Sequence, residues 1–322
     1  MGIVNRLKIA SAFIMQQPVV AGFPVEIGIE MTNRCNLRCK MCAREAMTRP
    51  VGDMPLTLLK KIIDEVRGYV EMIYLHGDGE PLLHKDIFEA IAYVKDSGVK
   101  VALSTNATLL NEEKSRRLIA AEPDYLILAI DGATKPTYEG IRINGCFEEV
   151  VANAEMFLDL KRKSNSRIHV LVQFIAMKEN TGEVTAFIDH WKKFKPDCIR
   201  IKSCVDLVGK KGVTTFQHPC FYLWRQIMID WDGTVFPCCV DTNSLHHLGN
   251  LAEVPLADIW NGSLLQAMRK KHIQGGQAGI DICRNCDMNQ FTIFTMAVAT
   301  LVDGYQIKKY LPYWERLFPK AS

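Results

Sequence analysis

The segment EMTNRCNLRCKMC, residues 30–42, places Cys35, Cys39 and Cys42 directly after a predicted strand. Thiolates with the spacing Cys-x3-Cys-x2-Cys can converge from one loop on three corners of a cubane iron–sulfur cluster. Three protein ligands leave one iron open, much as catalytic zinc sites keep an open position for substrate. The same spacing also fits a zinc site completed by a distant ligand, or three unrelated buried thiols. The spacing alone therefore leaves these alternatives open.

Short apolar runs alternate with amphipathic runs on both sides of this loop. We predict strands at residues 25–30, 72–75, 99–103, 125–130, 169–175 and 199–201, and helices at 58–70, 87–95, 112–120, 150–161 and 184–194. Repeated strand–helix units of this length imply parallel strands with right-handed crossovers. Six units are too few for an eightfold barrel. We therefore expect an α/β fold, a partial (β/α)6 TIM-like barrel with its chemistry at the carboxyl ends of the strands.

Composition restricts the function classes. The 322 residues are 48% hydrophobic and 23% charged, with a net charge of +3 and no concentrated basic face, so nucleic-acid binding is not expected. The short basic runs at 161–163 and 269–271 are predicted to be solvated helix faces. The sequence has neither a signal peptide nor a long apolar stretch, which predicts a cytoplasmic protein without a membrane span. In that reducing compartment, eleven cysteines favour metal binding over disulfides.

The segment HGDGEP, residues 76–81, ends the second predicted strand. Its glycines allow close backbone approach to a ligand, and its carboxylates can pair with an ammonium group. Alone, this motif is more typical of a glycine turn with an exposed acid. Together with the cysteine loop, however, it resembles the radical S-adenosylmethionine (SAM) superfamily, and the resemblance covers nearly the whole chain.

The resemblance implies a cofactor and a reaction. Cys35, Cys39 and Cys42 would hold a [4Fe–4S] cluster whose open iron chelates the amino and carboxylate groups of SAM. In the family, one electron from the cluster cleaves SAM to a 5′-deoxyadenosyl radical, which abstracts hydrogen from the substrate. An external one-electron reductant of the flavodoxin or ferredoxin type is therefore expected as a partner.

Further cofactor contacts follow from the same resemblance. The expected SAM-binding residues are Gly77, Asp78, Gly79, Glu80, Ser104, Asn106, Asp131, Arg142 and Gln173. Asp131 could instead, or in addition, cap a helix N-terminus. Gln173 points into the barrel if its neighbours Val172 and Phe174 point outward.

A second cysteine set follows the barrel. Trp231-Asp232-Gly233-Thr234 predicts a hairpin, and the set around it comprises Cys220, Cys238, Cys283 and Cys286. Four thiolates of this kind can bind zinc or a [4Fe–4S] cluster. The region resembles the SPASM or shorter twitch domains of radical SAM enzymes. Since full SPASM domains have more cysteines and two clusters, we expect one auxiliary [4Fe–4S] cluster here, fully ligated and used for electron transfer.

Four cysteines remain: Cys146, Cys198, Cys204 and Cys239. Each fits a buried or incidental thiol, but in an epimerase one would donate a hydrogen atom to a substrate radical. Cys204, at the end of the sixth strand, is the best placed. Arg200 and Lys202 on that strand are candidates for the catalytic base or for substrate contact, with His76 as an alternative base.

The cysteine arrangement most resembles members with one auxiliary cluster, such as the butirosin-pathway dehydrogenase that oxidises an aminocyclitol alcohol. The expected division is an N-terminal extension (1–24), the barrel (25–211), the auxiliary domain (212–290) and a helical tail (291–322). An extension of that length is too short for a leader-peptide domain. We therefore predict oxidation of a small molecule, sugar-like or cyclitol-like, with an epimerase or a peptide or protein maturase as alternatives.

Overall fold

The computed structural model describes residues 2–204, 218–284 and 286. Its strands are β1 (Glu26–Ile29), β2 (Arg38–Cys39), β3 (Met72–Tyr74), β4 (Lys100–Thr105), β5 (Tyr125–Ala129), β6 (Arg142–Ile143), β7 (His169–Ala176), β8 (Cys198–Ser203), β9 (Gln226–Ile229), β10 (Thr234–Phe236) and β11 (Gly249–Asn250). Its α-helices are α1 (Gly2–Ile14), α2 (Leu56–Val66), α3 (Ile87–Asp96), α4 (Glu112–Ala121), α5 (Lys135–Ile141), α6 (Phe147–Lys163), α7 (Val184–Lys192), α8 (Tyr222–Arg225), α9 (Leu256–Trp260) and α10 (Ser263–Ile273).

The barrel sheet contains the six predicted strands, side by side in the order β1-β3-β4-β5-β7-β8. Every neighbouring pair among them is parallel. Helices α2, α3, α4, α6 and α7 lie between these strands in the chain and provide the crossovers that parallel pairing requires. The predicted α/β partial-barrel fold is confirmed.

The two faces of this sheet differ in composition. Val101, Leu103 and Val172 belong to the main apolar core under the helices, whereas Ala102 and Leu171 belong to a small separate cluster on the inner face. Side chains alternate between faces along a strand. The inner apolar cluster therefore forms the floor of the barrel, and the polar residues further along each strand lie above it.

A hairpin from the second cysteine region extends the sheet. β9 pairs with β1 in parallel and with β10 antiparallel, and the turn between β9 and β10 has Gly233 at φ +90°. Only glycine adopts this backbone conformation without strain. The hairpin predicted at Asp232-Gly233 is thus present. It places the end of β9 beside the end of β1, where the Glu30 N–H donates to the Ile229 carbonyl at 2.9 Å.

The N-terminal helix α1 joins the core, which the sequence did not indicate. Phe13 packs edge-on against the rings of Phe221 and Trp224, with centroids 5.1 and 5.5 Å away. The predicted solvated face at 269–271 is wrong for Arg269, which is fully buried. Its guanidinium stacks 4.4 Å from the centroid of Trp260 and donates to backbone carbonyls, so that its charge is solvated by the protein.

Among the described residues, no helix combines the length and apolar character needed to cross a membrane. The predicted helical tail at 291–322 and the predicted boundary between residues 211 and 212 lie outside the described residues.

Candidate active site

The cysteine loop leaves β1 and is held by two buried side chains, Thr32 and Asn33. The Asn33 side chain accepts a hydrogen bond from the Gly52 N–H and donates one to the Pro50 carbonyl, both at 2.9 Å. The Thr32 hydroxyl donates to Asp53 Oδ1 at 2.5 Å. Because these partners all lie within residues 50–53, the loop is shaped by the segment that follows it.

The chemistry of the three thiols in this loop fits a cationic metal group. Burial, together with neighbouring thiols such as Cys39, raises the pKa of Cys35 and raises that of Cys42 to about 11. Grouped thiols of this kind become thiolates when a metal supplies positive charge. The donor set therefore suits the three-cysteine cluster that the sequence predicts.

A buried ion pair supports Cys39 from the opposite side. Short strands β2 and β6 place Cys39 opposite Arg142, whose Nη1 lies 3.5 Å from Cys39 Sγ. The fully buried Asp131 carboxylate accepts from Arg142 Nε at 2.9 Å and from the Ile175 N–H at 2.7 Å. Asp131 does not cap α5, whose N-cap residue is Thr134. Asp131 and Arg142 thus pair with each other, and Arg142 also lies against Cys39, a predicted cluster ligand; their contact with SAM stays a prediction.

The two glycines of the HGDGEP segment accommodate the cysteine loop. A Cβ atom at Gly79 would lie 2.2 Å from the Thr32 carbonyl oxygen, and one at Gly77 would lie 2.8 Å from Glu30 Oε2. Neither position has room for a side chain. In this structure the close approach that glycine permits is therefore to the cysteine loop itself.

Glu80 links the loop to the end of β4. Its carboxylate is 2% exposed and accepts from Thr105 Oγ1 and from the Asn106 N–H, both at 2.7 Å. The Asn106 amide in turn donates to Asn36 Oδ1 at 3.0 Å. Burial raises the pKa of Glu80. Glu80, after β3, and Asn106, after β4, are thus hydrogen-bonded to each other, and Asn106 is hydrogen-bonded to the cysteine loop.

Asp78, between the glycines, belongs to a network that sequence reasoning missed. Arg49 donates through both terminal nitrogens to Glu30, at 2.7 and 2.5 Å, and through Nη2 to Asp78 at 3.1 Å. Burial raises the pKa of Asp78 to about 6, and the Glu30 carboxylate adds to this effect. One guanidinium therefore serves two carboxylates next to the cysteine loop.

Arg49 also contacts the second cysteine region. Its Nε donates to the Thr242 carbonyl at 2.7 Å, and its Nη1 lies 3.5 Å from Asp230 Oδ1. Burial raises the pKa of Asp230 to about 7. The Arg49 network, which comprises Arg49, Glu30, Asp78 and Asp230, therefore connects the loop, the glycine motif and the hairpin. Nothing in the local sequence around Arg49 indicated these partners.

The predicted catalytic strand β8 lies beside β7, with Gln173 in register with Arg200 and Ile175 in register with Lys202. Leu171 belongs to the inner floor, whereas Val172 and Phe174 belong to the outer core. By alternation, Gln173, Arg200 and Lys202 face the barrel interior above that floor. Half-buried Ser104 follows Ala102 on the same face of β4.

His76 has an unusual environment on this inner face. It lies two residues beyond Tyr74, and its buried Nδ1 has no hydrogen-bond partner among the described residues. Burial, together with the charge of Lys202, lowers the pKa of His76 to about 4. The ring is therefore neutral at pH 7 and adjacent to a cation.

The four cysteines of the second set line one cavity. Its other lining residues are mostly apolar: Tyr222, Leu223, Val240, Met268, His272 and Ile282, next to Cys220, Cys238, Cys283 and Cys286. Burial raises the pKa of Cys220 to about 12 and also raises that of Cys283. Four thiols that line one cavity form a suitable donor set for a fully ligated iron–sulfur cluster.

The remaining cysteines are dispersed. Cys198 belongs to the inner floor, Cys146 is exposed, and Cys204 follows β8 with its N–H donating to the Ala176 carbonyl at 3.0 Å. Cys239 is exposed to solvent, whereas the neighbouring Cys238 lines the cavity of the second cysteine set. A hydrogen bond from Cys238 and the charge of Lys202 lower the pKa of Cys239. Cys239 therefore lies within electrostatic reach of Lys202 on β8.

Comparison with known proteins agrees with this geometry. The model of the radical SAM superfamily matches residues 29–184, and that of the SPASM iron–sulfur cluster-binding domain matches residues 220–287. The mycofactocin maturase MftC of Mycobacterium tuberculosis is 32% identical over 303 residues, covering 81% of this chain and 77% of that protein. The chain belongs to the radical SAM superfamily and carries a SPASM domain, so the predicted [4Fe–4S] cluster, SAM and auxiliary iron–sulfur site are confirmed.

Other similar proteins differ in activity. An AdoMet-dependent heme synthase of Methanosarcina barkeri is 39% identical over 165 residues, which span 50% of this chain but only 45% of the synthase. The structure of BtrN in complex with AdoMet and 2-DOIA has a TM-score of 0.60 and 18% identity, covering 82% of this chain and 93% of BtrN. At that identity the likeness supports the fold alone. The family is thus defined, whereas the substrate is not.

Proposed function

We propose that this radical SAM enzyme oxidises a small molecule, sugar-like or cyclitol-like, with the auxiliary site as electron acceptor. The observation that carries the proposal is the single cavity lined by Cys220, Cys238, Cys283 and Cys286. Four thiolates can ligate all four irons of one cubane cluster. No iron is then open to anchor a substrate, which favours electron transfer.

Cys35, Cys39 and Cys42 would hold the first cluster. With SAM bound, that cluster would supply the electron that cleaves SAM into methionine and the carbon radical that removes a hydrogen atom from the substrate. Asp78 has a raised pKa and shares its ion-pair partner, Arg49, with Glu30 and Asp230. An added ammonium group would stabilise the ionised form of such a carboxylate, which supports Asp78 as the partner of the SAM amino group. Ser104 and Gln173 would contact the ribose or carboxylate from the inner face.

Oxidation also requires loss of a proton and of a second electron. Among the candidates, we assign the base to His76, because its buried Nδ1 has no hydrogen-bond partner among the described residues and can accept a proton. Arg200 and Lys202 carry positive charge at pH 7 and better suit binding of a polar or anionic part of the substrate. The substrate would then pass one proton to His76 and one electron to the auxiliary site.

A maturase is the second candidate function, favoured by the 32% identity to MftC across most of both chains. An epimerase, with Cys204 or the exposed Cys239 as hydrogen donor, is the third. If the enzyme is a dehydrogenase, substrate turnover should reduce the auxiliary site. The epimerase instead predicts uptake of solvent deuterium into the product and an essential free cysteine, and the maturase predicts turnover with a peptide but not with free sugars or cyclitols.

The first experiment is anaerobic reconstitution of the full chain with iron, sulfide, dithionite and SAM. We expect about eight irons per chain and formation of 5′-deoxyadenosine, since each cubane cluster has four irons. The Cys220→Ala/Cys238→Ala double variant is the control and should retain about four irons. About four irons together with stoichiometric zinc in the unmodified chain would overturn the auxiliary-cluster part of the proposal.

A further inference from the structure

His272 on α10 lies in the cavity of the second cysteine set and is 2% exposed. Its two ring nitrogens have different partners. Nδ1 accepts a hydrogen bond from the Cys220 backbone N–H at 3.1 Å, and Nε2 lies 3.4 Å from Cys283 Sγ. One histidine therefore contacts two of the four predicted cluster ligands.

The first of these contacts fixes the tautomer of the ring. A backbone N–H can only donate, so Nδ1 must present its lone pair to Cys220. A neutral imidazole then carries its single proton on Nε2, which lies next to Cys283 Sγ. The ring thus directs an N–H group at this sulfur.

The surroundings make this hydrogen bond important. Apart from Tyr222, the other described residues that line the cavity, such as Leu223, Val240 and Ile282, offer apolar side chains. The potential of an iron–sulfur cluster depends on hydrogen bonds to its sulfurs, on its net charge and on its exposure to solvent. A hydrogen bond stabilises the more electron-rich reduced state, and it acts more strongly in a cavity of low dielectric constant.

We propose that His272 is a positioning residue that donates from Nε2 to Cys283 and thereby raises the reduction potential of the auxiliary cluster. The inference rests on the proposed function, in which the four cysteines hold that cluster. A higher potential makes the cluster a better acceptor for the electron that leaves the substrate. His272 thus acts through Cys283, without touching the substrate.

Three substitutions separate the two contacts of the ring. His272→Gln places an amide N–H close to the position of Nε2, so it can preserve the bond to Cys283. His272→Asn places a carbonyl oxygen close to Nδ1, so it can preserve the bond from Cys220 and lose the other. His272→Phe removes both. The full reconstituted chain and its variants would be titrated anaerobically, with the electron paramagnetic resonance signals of both clusters recorded.

We expect the auxiliary potential of His272→Gln to match the unmodified protein. In His272→Asn and His272→Phe it should fall by about 59 mV, which corresponds to a tenfold weaker tendency to accept one electron. The potential of the first cluster should be unchanged in all variants and serves as the internal reference.

Unchanged potentials in His272→Asn and His272→Phe, with full iron content, would overturn the inference. Loss of the auxiliary iron from all three variants would also overturn it, because His272 would then be structural. If only His272→Phe loses iron, the comparison of His272→Asn with His272→Gln decides. An unmodified chain with only about four irons would instead contradict the proposed function itself.

Discussion

The two cysteine sites differ in what surrounds their thiols. Around the first, Glu30, Arg49, Asp78, Asp131 and Arg142 form buried ion pairs. Around the second, mostly apolar side chains and one neutral histidine line the cavity. Charged surroundings suit a site that binds a zwitterionic, cationic cofactor, whereas an apolar cavity suits a cluster that only changes its redox state. The surroundings thus distinguish two roles that the cysteines alone do not.

The largest effect should come from removing one thiol from each site. We expect Cys39→Ala to abolish 5′-deoxyadenosine formation, because the first cluster loses one of its three ligands. Cys238→Ala should retain SAM cleavage and lose substrate oxidation. Chromatography of 5′-deoxyadenosine and of the product measures both. If Cys238→Ala also abolished SAM cleavage, the two sites would not have separable roles.

The ion pair behind Cys39 provides the next test. Asp131→Asn leaves the Arg142 guanidinium buried without its carboxylate, and removal of one partner from a buried pair costs about 3–5 kcal/mol of unfolding free energy. Denaturant unfolding of the chain measures this loss. Because Arg142 also contacts Cys39 Sγ, the variant should retain less iron at the first site.

Glu26→Gln is the matched control for that variant. It also removes the carboxylate of a buried pair, with Arg225 at 2.6 Å, but at the amino end of β1, opposite the active site. We expect a comparable loss of stability with normal iron content and SAM cleavage. Equal iron loss in both variants would show that Asp131 affects the first site only through global stability.

A smaller effect is expected at Gly79. In Gly79→Ala the new methyl group would overlap the Thr32 carbonyl, and overpacking of this kind costs about 1–3 kcal/mol. Since the backbone of the cysteine loop must move, SAM affinity measured by calorimetry should fall as well. Gly140→Ala is the control, because a Cβ there meets no atom within 4 Å. Its SAM affinity should be unchanged.

The sequence predicted the features that depend on local pattern. The six barrel strands were predictable from alternating apolar runs, and the cysteine sets from their spacing. The Arg49 network was not, because its four members come from β1, the glycine motif, the hairpin and a loop that are distant along the chain. His272 was missed for a similar reason: on an amphipathic helix it resembles an ordinary core residue. Only packing brings it to Cys283.

The Arg49 network, through its member Asp230, and His272 in the second site should also respond oppositely to pH. The folded-state pKa of Asp230 is about 7, compared with 3.8 for an unburied carboxyl. Between these values the native state binds more protons than the unfolded state, so this group makes stability fall as pH rises from about 4 to 7. Asp230→Asn should remove this slope. Urea unfolding of the reduced, metal-free chain at several pH values measures it.

His272 in the second site should contribute the reverse slope. Its folded-state pKa is about 4, compared with 6.5 for an unburied imidazole. Between these values the unfolded state binds more protons, so this group makes stability rise as pH increases from about 4 to 6.5. His272→Gln should therefore remove a contribution that makes stability rise with pH, whereas Asp230→Asn removes one that makes it fall. Slope changes of the same sign in both variants would contradict the contrast between the charged Arg49 network and the neutral, apolar second site.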